Sequence, residues 1–553
     1  MPQMTSQRGP PHAPYENEDT GSVVVLNGGS LQRQLGNRHL QIIAIGGSIG
    51  TAAFVSVGTA LAEGGPGSLF IAYVIYAVIM GMLNNCAAEM VVYMPVSGGF
   101  VRLAGHWVDE ALGFMAGWNF LLYEGIMIPF EITALQVVLS FWSDKVPAIA
   151  ICLVCIFLYG LLNVFAVRVY GEAEFWLSTG KILLLTILFC FTFITMVGGN
   201  PQGDAYGFRH WNHPGAFAEY LSTGSLGRFQ GFLACLWNAA FLMVGPELIS
   251  MMAAEAKQPR IYLKSAYKTV YVRFAIMFVG TGFCVGILVA YNDPTLVAIV
   301  FGDASGSGTA AASPYVIAMH NMGVTALPHL VNALLCTSIF SAGNNIFYNA
   351  TRTLYSLALQ GKAPKQLAKC TKDGVPIYAF GVTMLFPFLS LLSLSKSSET
   401  VLTWLLNLVT AAGIIDFIVI AITYISFYRA CKAQGVSRDS LPYKGWFQPY
   451  SGYIALVAEI VIVLCYGYTS FDPWNVSTFF THYTMVIVAV VIFFFWKFYK
   501  KTRWLRPHEV DLVWEKPLVD LYESTCEEPL TTFWGETLDM VRFWKVSKQN
   551  DLD

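Results

Sequence analysis

The sequence predicts an all-α protein that crosses a membrane about twelve times. Three observations predict it. Of 553 residues, 55% are hydrophobic and only 12% charged, with a mean hydropathy of +0.54; a soluble domain carries about twice that charge fraction. Apolar runs of about twenty residues, the length of a helix through hydrocarbon, recur along the whole chain. Aromatic residues make up 14%, which suits belts at two membrane–water interfaces. The net charge of −2 leaves no electrostatic footprint for nucleic acid. Cysteines such as Cys86, Cys155, Cys235, Cys284 and Cys336 sit inside apolar runs, so neither a disulfide framework nor a zinc spacing is indicated.

Residues 1–38 are polar, rich in Pro, Gly, Ser and Asn and without lysine, and read as a disordered tail. They hold no early apolar region, so no cleaved signal peptide is expected. Apolar segments follow near 40–61, 69–93, 112–140, 147–167 and 174–197, then near 229–254, 268–291, 327–356, 376–395 and 401–428, and finally near 450–469 and 480–499. Basic residues alternate between the connections. One side collects Arg168, then Lys257, Arg260 and Lys264, then Arg352, Lys362, Lys365 and Lys369, then Arg429, Lys432 and Arg438. The other holds little beyond Lys145, Arg209, Arg228 and Lys396. The positive-inside rule then places both termini in the cytoplasm. A membrane domain of about twelve spans over 39–500 with cytoplasmic tails at 1–38 and 501–553 is the expected organisation. The tail "HEVDLVWEKPLVDLYES" reads equally as a short amphipathic dock or a solvated end. Asn475-Val476-Ser477 is a glycosylation sequon near the opposite surface.

No Walker loop or HExxH element occurs, and although "GGSIG" has the GxSxG spacing no strand precedes it, so a nucleotide-driven pump and an enzyme are disfavoured and no cofactor or metal is expected. Two apolar segments carry helix breakers. The first contains "AIGGSIGTAAF", with Gly47, Ser48, Ile49, Gly50 and Thr51 at mid-segment; the sixth contains Gly245-Pro246-Glu247. Unwound backbone inside a bilayer persists where it lines a cavity or is buried in protein, and its free N–H groups and half-helix N-termini suit an anionic group. Gly47 and Thr51 alone suit close helix packing as well. Proline in the sixth segment removes a helical donor. Breaks in segments one and six are what two inverted five-helix repeats predict, with a small solute bound between them.

The chain resembles the fungal amino-acid permeases of the amino acid–polyamine–organocation superfamily, of the yeast amino acid transporter type. "LGNRHLQIIAIGGSIGTAAF", "GWNFLLYEGIMIPFEITAL", "VYGEAEFWLSTGKI", "GPELISMMAAEAKQPR", "SAGNNIFYNATRTLYSLALQGKAPK", "GVPIYA" and "LPYKGWFQPY" follow one another over about residues 31–510. Each is weak alone; their number, order and spacing carry the resemblance. It implies a LeuT-like 5+5 inverted repeat with two added helices and discontinuous first and sixth segments. The backbone around Ser48–Thr51 would take a substrate carboxylate, and carbonyls near Leu242, Met243 and Val244 would face its amino group. Lys181 matches a lysine that, in proton-coupled relatives, resembles a substitute for a bound sodium ion; a fixed charge stapling the fifth span to the first and eighth is the alternative. Ala52 stands where the family usually has glycine ("IGTGLF"), which stiffens the notch.

Ionisable residues inside spans are functional candidates. Glu247 is placed to touch an ammonium or gate the site. Glu124 and Glu131 lie about two turns apart on the third segment, and Glu131 belongs to the family pattern. Asp416 occupies a place where the family often has tryptophan; beside Glu124 and Glu247 it would favour a cationic solute, or bond a neighbouring helix instead. Phe241 suits an aromatic gate, and Ser341, Asn344, Asn345 and Tyr348 face the cavity in part. Glu89 and Glu255 are expected to tie loops to helix ends, and Arg352 to anchor the inner end of segment eight. The expected function is plasma-membrane import of an amino acid or related amine with a proton. The partners are the solute, the proton, the bilayer and ubiquitin-ligase or trafficking machinery at the tails. The alternative is a nutrient sensor that keeps the pocket and transports little.

Overall fold

Gly65 turns the chain between the first two segments. In the computed structural model, helix α1 (Ser56–Tyr93) is interrupted at Gly65, whose φ of 77° and ψ of 169° lie outside helix space. Pro66 starts the second arm, where its missing N–H costs no helical bond. A Cβ on Gly65 would sit 2.7 Å from the Ala218 nitrogen. The close approach is used: Gly67 N donates to Ala216 O (2.7 Å) and Ala218 N to Gly64 O (3.0 Å), sealing the turn with the loop before the sixth segment.

The structure describes residues 36–37, 40–41, 54, 56–143, 146–165, 167–301, 313–371, 375–394, 398–471 and 473–525. Residues 1–35 of the predicted N-terminal tail, the "GGSIGT" notch and the last part of the C-terminal tail lie outside them. Among the described residues ten helices are long and apolar enough to cross a membrane. After α1 come α2 (Gly99–Trp107), α3 (Glu110–Leu139), α4 (Ala148–Phe165) and α5 (Val167–Met196). The sixth segment is split into α6 (Gly224–Leu242) and α7 (Pro246–Met251). The seventh runs from α8 (Pro259–Arg273) through a π-helical turn, Phe274–Val279, into α9 (Gly280–Leu288). Then come α10 (Leu327–Leu359), α11 (Ile377–Thr383) with a 3₁₀ stretch at Phe386–Leu394, α12 (Ser398–Ala433), α13 (Tyr450–Cys465), α14 (Val476–Lys500) and the short α15 (Lys516–Thr525). No strand occurs among the described residues.

The packing has one dominant pattern. α1 lies against α6, and α3 is held between α10 and α12. Outward-facing Leu, Ile, Val and Phe on α4, α5, α13 and α14 are exposed, as a lipid-facing rim requires. The interior is one continuous apolar core threaded by buried polar groups.

At the face where α1 ends, the segment after α14 folds back across the bundle. Leu505 N donates to Val108 O (2.8 Å), Trp107 Nε1 to Asp511 O (3.1 Å) and Tyr93 Oη to Leu512 O (3.1 Å). Arg102 pairs with Glu515 at 2.5 Å, and Arg260 with Asp520 (2.5 Å) and Glu523 (3.2 Å). His106 stacks on Trp514 with ring centroids 4.0 Å apart. The tail expected as dock or solvated end is therefore docked through residue 525. Asn475 of the sequon caps α14, accepting from Thr478 N at 3.0 Å.

Candidate substrate site

The sixth segment opens where its sequence predicts. α6 ends at Leu242, Met243 has extended ψ (86°), and Gly245 adopts φ 154°, a conformation costly for any residue with a Cβ. Pro246 then begins α7 as its first residue. Gly245 N, left without a helical acceptor, donates to both oxygens of Glu247 at 3.0 and 3.1 Å. The carboxylate of Glu247 thus folds back over the positive end of α7 and seals the break from inside.

The break sits in the core. Phe241, Leu242, Met243 and Glu247 are buried, and the Phe241 ring meets Phe130 of α3 edge-on at 5.1 Å. Tyr267 Oη of α8 donates to Pro246 O at 3.2 Å. Gly99 of α2 touches Ser250 so closely that a Cβ there would lie 2.3 Å from the Ser250 carbonyl oxygen. Just before the break, Asn238 donates to Ser56 O (2.9 Å) and accepts from Tyr73 Oη (2.6 Å), tying α6 to both arms of α1.

Around it stand the predicted ionisable groups. Glu124 of α3 accepts from Thr353 of α10 at 2.8 Å, and Asp416 of α12 from Asn119 of α3 at 3.0 Å. Both acids are within electrostatic reach of Glu247, and Glu124 of Asp416. Glu131 is fully buried on α3, opposite Gly343 of α10. Lys181 is 1% exposed on α5, the helix that packs along α10. Asn345 is buried, while its neighbour Asn344 accepts from Asn163 of α4 at 2.8 Å. At the inner end of α10, Arg352 pairs with Glu255 (2.9 Å) and stacks over Tyr348, beside a small cleft floored by Pro376 and Phe380. Gly47, Ser48, Ile49, Gly50 and Thr51 lie outside the described residues.

Two buried charges inside apolar runs escaped the sequence reading. Arg273, 3% exposed on α8, comes within 3.4 Å of where a Cβ on Gly245 would be. Glu459 of α13 is fully buried and accepts from Tyr76 Oη at 3.3 Å. The signal was present in both cases: each is a lone ionisable residue inside an apolar run, "VYVRFAIMFV" and "ALVAEIVIVL".

A helical membrane bundle with a broken helix at its core is the architecture of a secondary transporter. The chain matches the amino acid permease family over residues 39–509. It belongs to that family. It is 43% identical to the general amino acid permease AGP2 of Saccharomyces cerevisiae over 535 residues, covering 94% of this chain and 89% of that protein. It is 37% identical to a dicarboxylic amino acid permease (89% of this chain, 81% of that protein) and 35% identical to a lysine-specific permease (91% and 82%), both of the same yeast. As a member of the family this permease has the LeuT-like fold, is a multi-pass membrane transporter and is not an enzyme.

Proposed function

We propose that this permease imports amino acids or related amines across the plasma membrane by proton symport, with both termini in the cytoplasm. The interruption of the sixth segment at Met243–Gly245, deep in the core, carries the reading. The unwound stretch around Leu242, Met243 and Val244 offers peptide carbonyls to a substrate ammonium. The Gly47–Thr51 backbone takes the carboxylate. Phe241 closes over the bound solute, and Gly245 and Pro246 serve as hinge. Segments one, two, six and seven rock against the others, which Arg352 and Glu255 hold at the inner end. The transport domain spans 39–500, and the tails at 1–38 and 501–553 meet trafficking machinery such as ubiquitin ligases.

Lys181 carries the coupling. A buried ammonium on the fifth segment is costly to keep charged, so it loads and releases a proton as water access changes sides. Radiolabelled amino-acid uptake in cells lacking their own permeases is expected to saturate and to collapse with a protonophore. Lys181→Ala abolishes concentrative uptake while exchange of labelled for unlabelled solute persists. Concentrative uptake by that variant at the wild-type rate would remove the assignment.

A second reading is favoured by the docked tail. A permease whose C-terminal segment grips α2 and α8 through Arg102 and Arg260 has a route for reporting solute binding to the cytoplasm. Binding and signalling without accumulation would establish it.

A further inference from the structure

Asn119, on the third segment, orients itself by donating twice. Its Nδ2 gives hydrogen bonds to Ala412 O (2.9 Å) and to Asp416 Oδ1 (3.0 Å), both on α12. That fixes the amide, and its Oδ1 is left buried with no hydrogen-bond partner. Asp416 Oδ2 is buried in the same condition. One and a half turns along α3, Glu124 repeats the arrangement, with Oε2 taken by Thr353 and Oε1 buried and bare. The bare oxygens of Asn119 and Asp416 lie at the contact of α3 with α12, while Glu124 is tied to α10, and as an amide oxygen and two carboxylate oxygens all three are acceptors. A bare buried acceptor is costly unless a ligand or water completes it.

The charge around these atoms has one sign. Glu124, Asp416 and Glu247 lie within electrostatic reach of one another, and Tyr123 stands among all three. The partners that Glu124 and Asp416 do have, Thr353 and Asn119, are neutral. Among the described residues the guanidinium beside the break is that of Arg273, which faces Gly245 and Glu247. Fully buried carboxylates without a cationic partner are among the most expensive groups a protein can keep. What completes them is a group that brings positive charge and several N–H donors together.

We propose that Asp416 with Asn119, reinforced by Glu124, forms a subsite for a second cationic group of the substrate, so that this permease prefers basic amino acids and alkyl diamines to neutral amino acids. An alkylammonium supplies three donors and one positive charge, which matches bare acceptors and unbalanced acids together. The inference rests on the transport reading above and adds to it a site for the solute's second amine.

The test uses full-length protein in cells lacking their own permeases, with radiolabelled L-lysine, putrescine and L-leucine as probes. Wild type is expected to take up lysine and putrescine with KM at least about tenfold below that for leucine. A neutral-to-cation discrimination of that size is about 1.4 kcal/mol. Asp416→Asn raises KM for lysine and putrescine about tenfold and leaves leucine within about twofold, whereas Asp416→Glu keeps the preference. Equal loss for all three probes in Asp416→Asn, at wild-type surface level, would make the pair a proton site or a helix tie and overturn the subsite. Leucine uptake without lysine or putrescine uptake by wild type overturns the subsite and spares the transport reading. Uptake of none of the three overturns both. Should Asp416→Asn fail to reach the surface, the wild-type preference decides.

Discussion

Glu89 is a fully bonded acid at the face where α1 ends, and its removal has a calculable consequence. It is 1% exposed and accepts from Arg438 Nε (2.9 Å), Arg438 Nη2 (2.8 Å) and Gly445 N (2.9 Å). One turn earlier, Asn85 accepts from Trp446 N at 3.2 Å and donates to Trp446 O, so two successive turns of α1 clamp the loop before α13. Those bonds to Glu89 raise the Arg438 guanidinium above its ordinary range. Glu89→Ala removes a bidentate pair and leaves the Gly445 N–H buried without an acceptor. Breaking a buried pair costs about 3–5 kcal/mol; the Arg438 side chain is 22% exposed and recovers some hydration, so about 3 kcal/mol is expected. Glu89→Gln keeps an acceptor and loses the charge, for about half that cost. Expressed in the barrier to irreversible inactivation, 3 kcal/mol is about a hundredfold in rate. The assay is the half-life of monodisperse protein in detergent at fixed temperature. Adding Arg438→Ala to Glu89→Ala should cost much less than the two single changes summed, because the pair acts as a unit. A Glu89→Ala protein decaying within threefold of wild type would refute the reasoning.

Two further outcomes follow from the same structure, beside those given for Lys181 and Asp416. His106 is held at about pKa 4 by burial, with Arg102 and Lys362 adding repulsion and Asp511 opposing them weakly. A histidine whose folded value lies below its ordinary 6.5 binds fewer protons docked than undocked. Tail docking is therefore complete above that value and is lost as pH falls from 6.5 toward 4. Protease cleavage of the 501–525 segment should be severalfold faster at pH 5 than at pH 7.5, and His106→Phe, which keeps the stack on Trp514, should flatten that dependence; an unchanged pH profile in the variant counts against it. Gly343→Ala places a methyl 2.2 Å from Tyr159 Oη and 3.2 Å from Glu131 Cβ, so α10 must move off α3 and α4 at about 1–3 kcal/mol. Thermal inactivation should accelerate, with partial recovery when Tyr159→Phe is added; no acceleration would show that the helices yield freely.

Much of the fold was readable because the bilayer permits few solutions. Apolar length fixed the segments, and Gly245-Pro246 announced a break that no other residue pair would tolerate so well. Glu124 and Asp416 were visible as acids in apolar runs. Their partners were not, since a neutral Asn119 or Thr353 is ordinary in a helix, and only the rotation of α3 against α10 and α12 decides which neighbour each meets. The turn at Gly65, which joins the first two segments into one kinked element, depends on the backbone of Ala216 and Ala218 more than 150 residues away. The π-helical turn at Phe274–Val279 and the 3₁₀ stretch at Phe386–Leu394 carry no pattern that distinguishes them from ordinary helix, apart from Pro387 in the latter. Arg273 and Glu459 follow the rule that found Asp416 and were passed over.

Asp109, at the entrance to α3, has no exposed surface, and its carboxylate is completed by Lys497 and by Thr502 Oγ1 at 2.6 Å. Those two partners are made about four hundred residues later. During all the intervening synthesis the negative charge has to stay hydrated at the membrane surface, and it sinks into the protein only once the last helix has been threaded. A chain that stops short of Lys497 therefore carries a stranded anion at the entrance to α3.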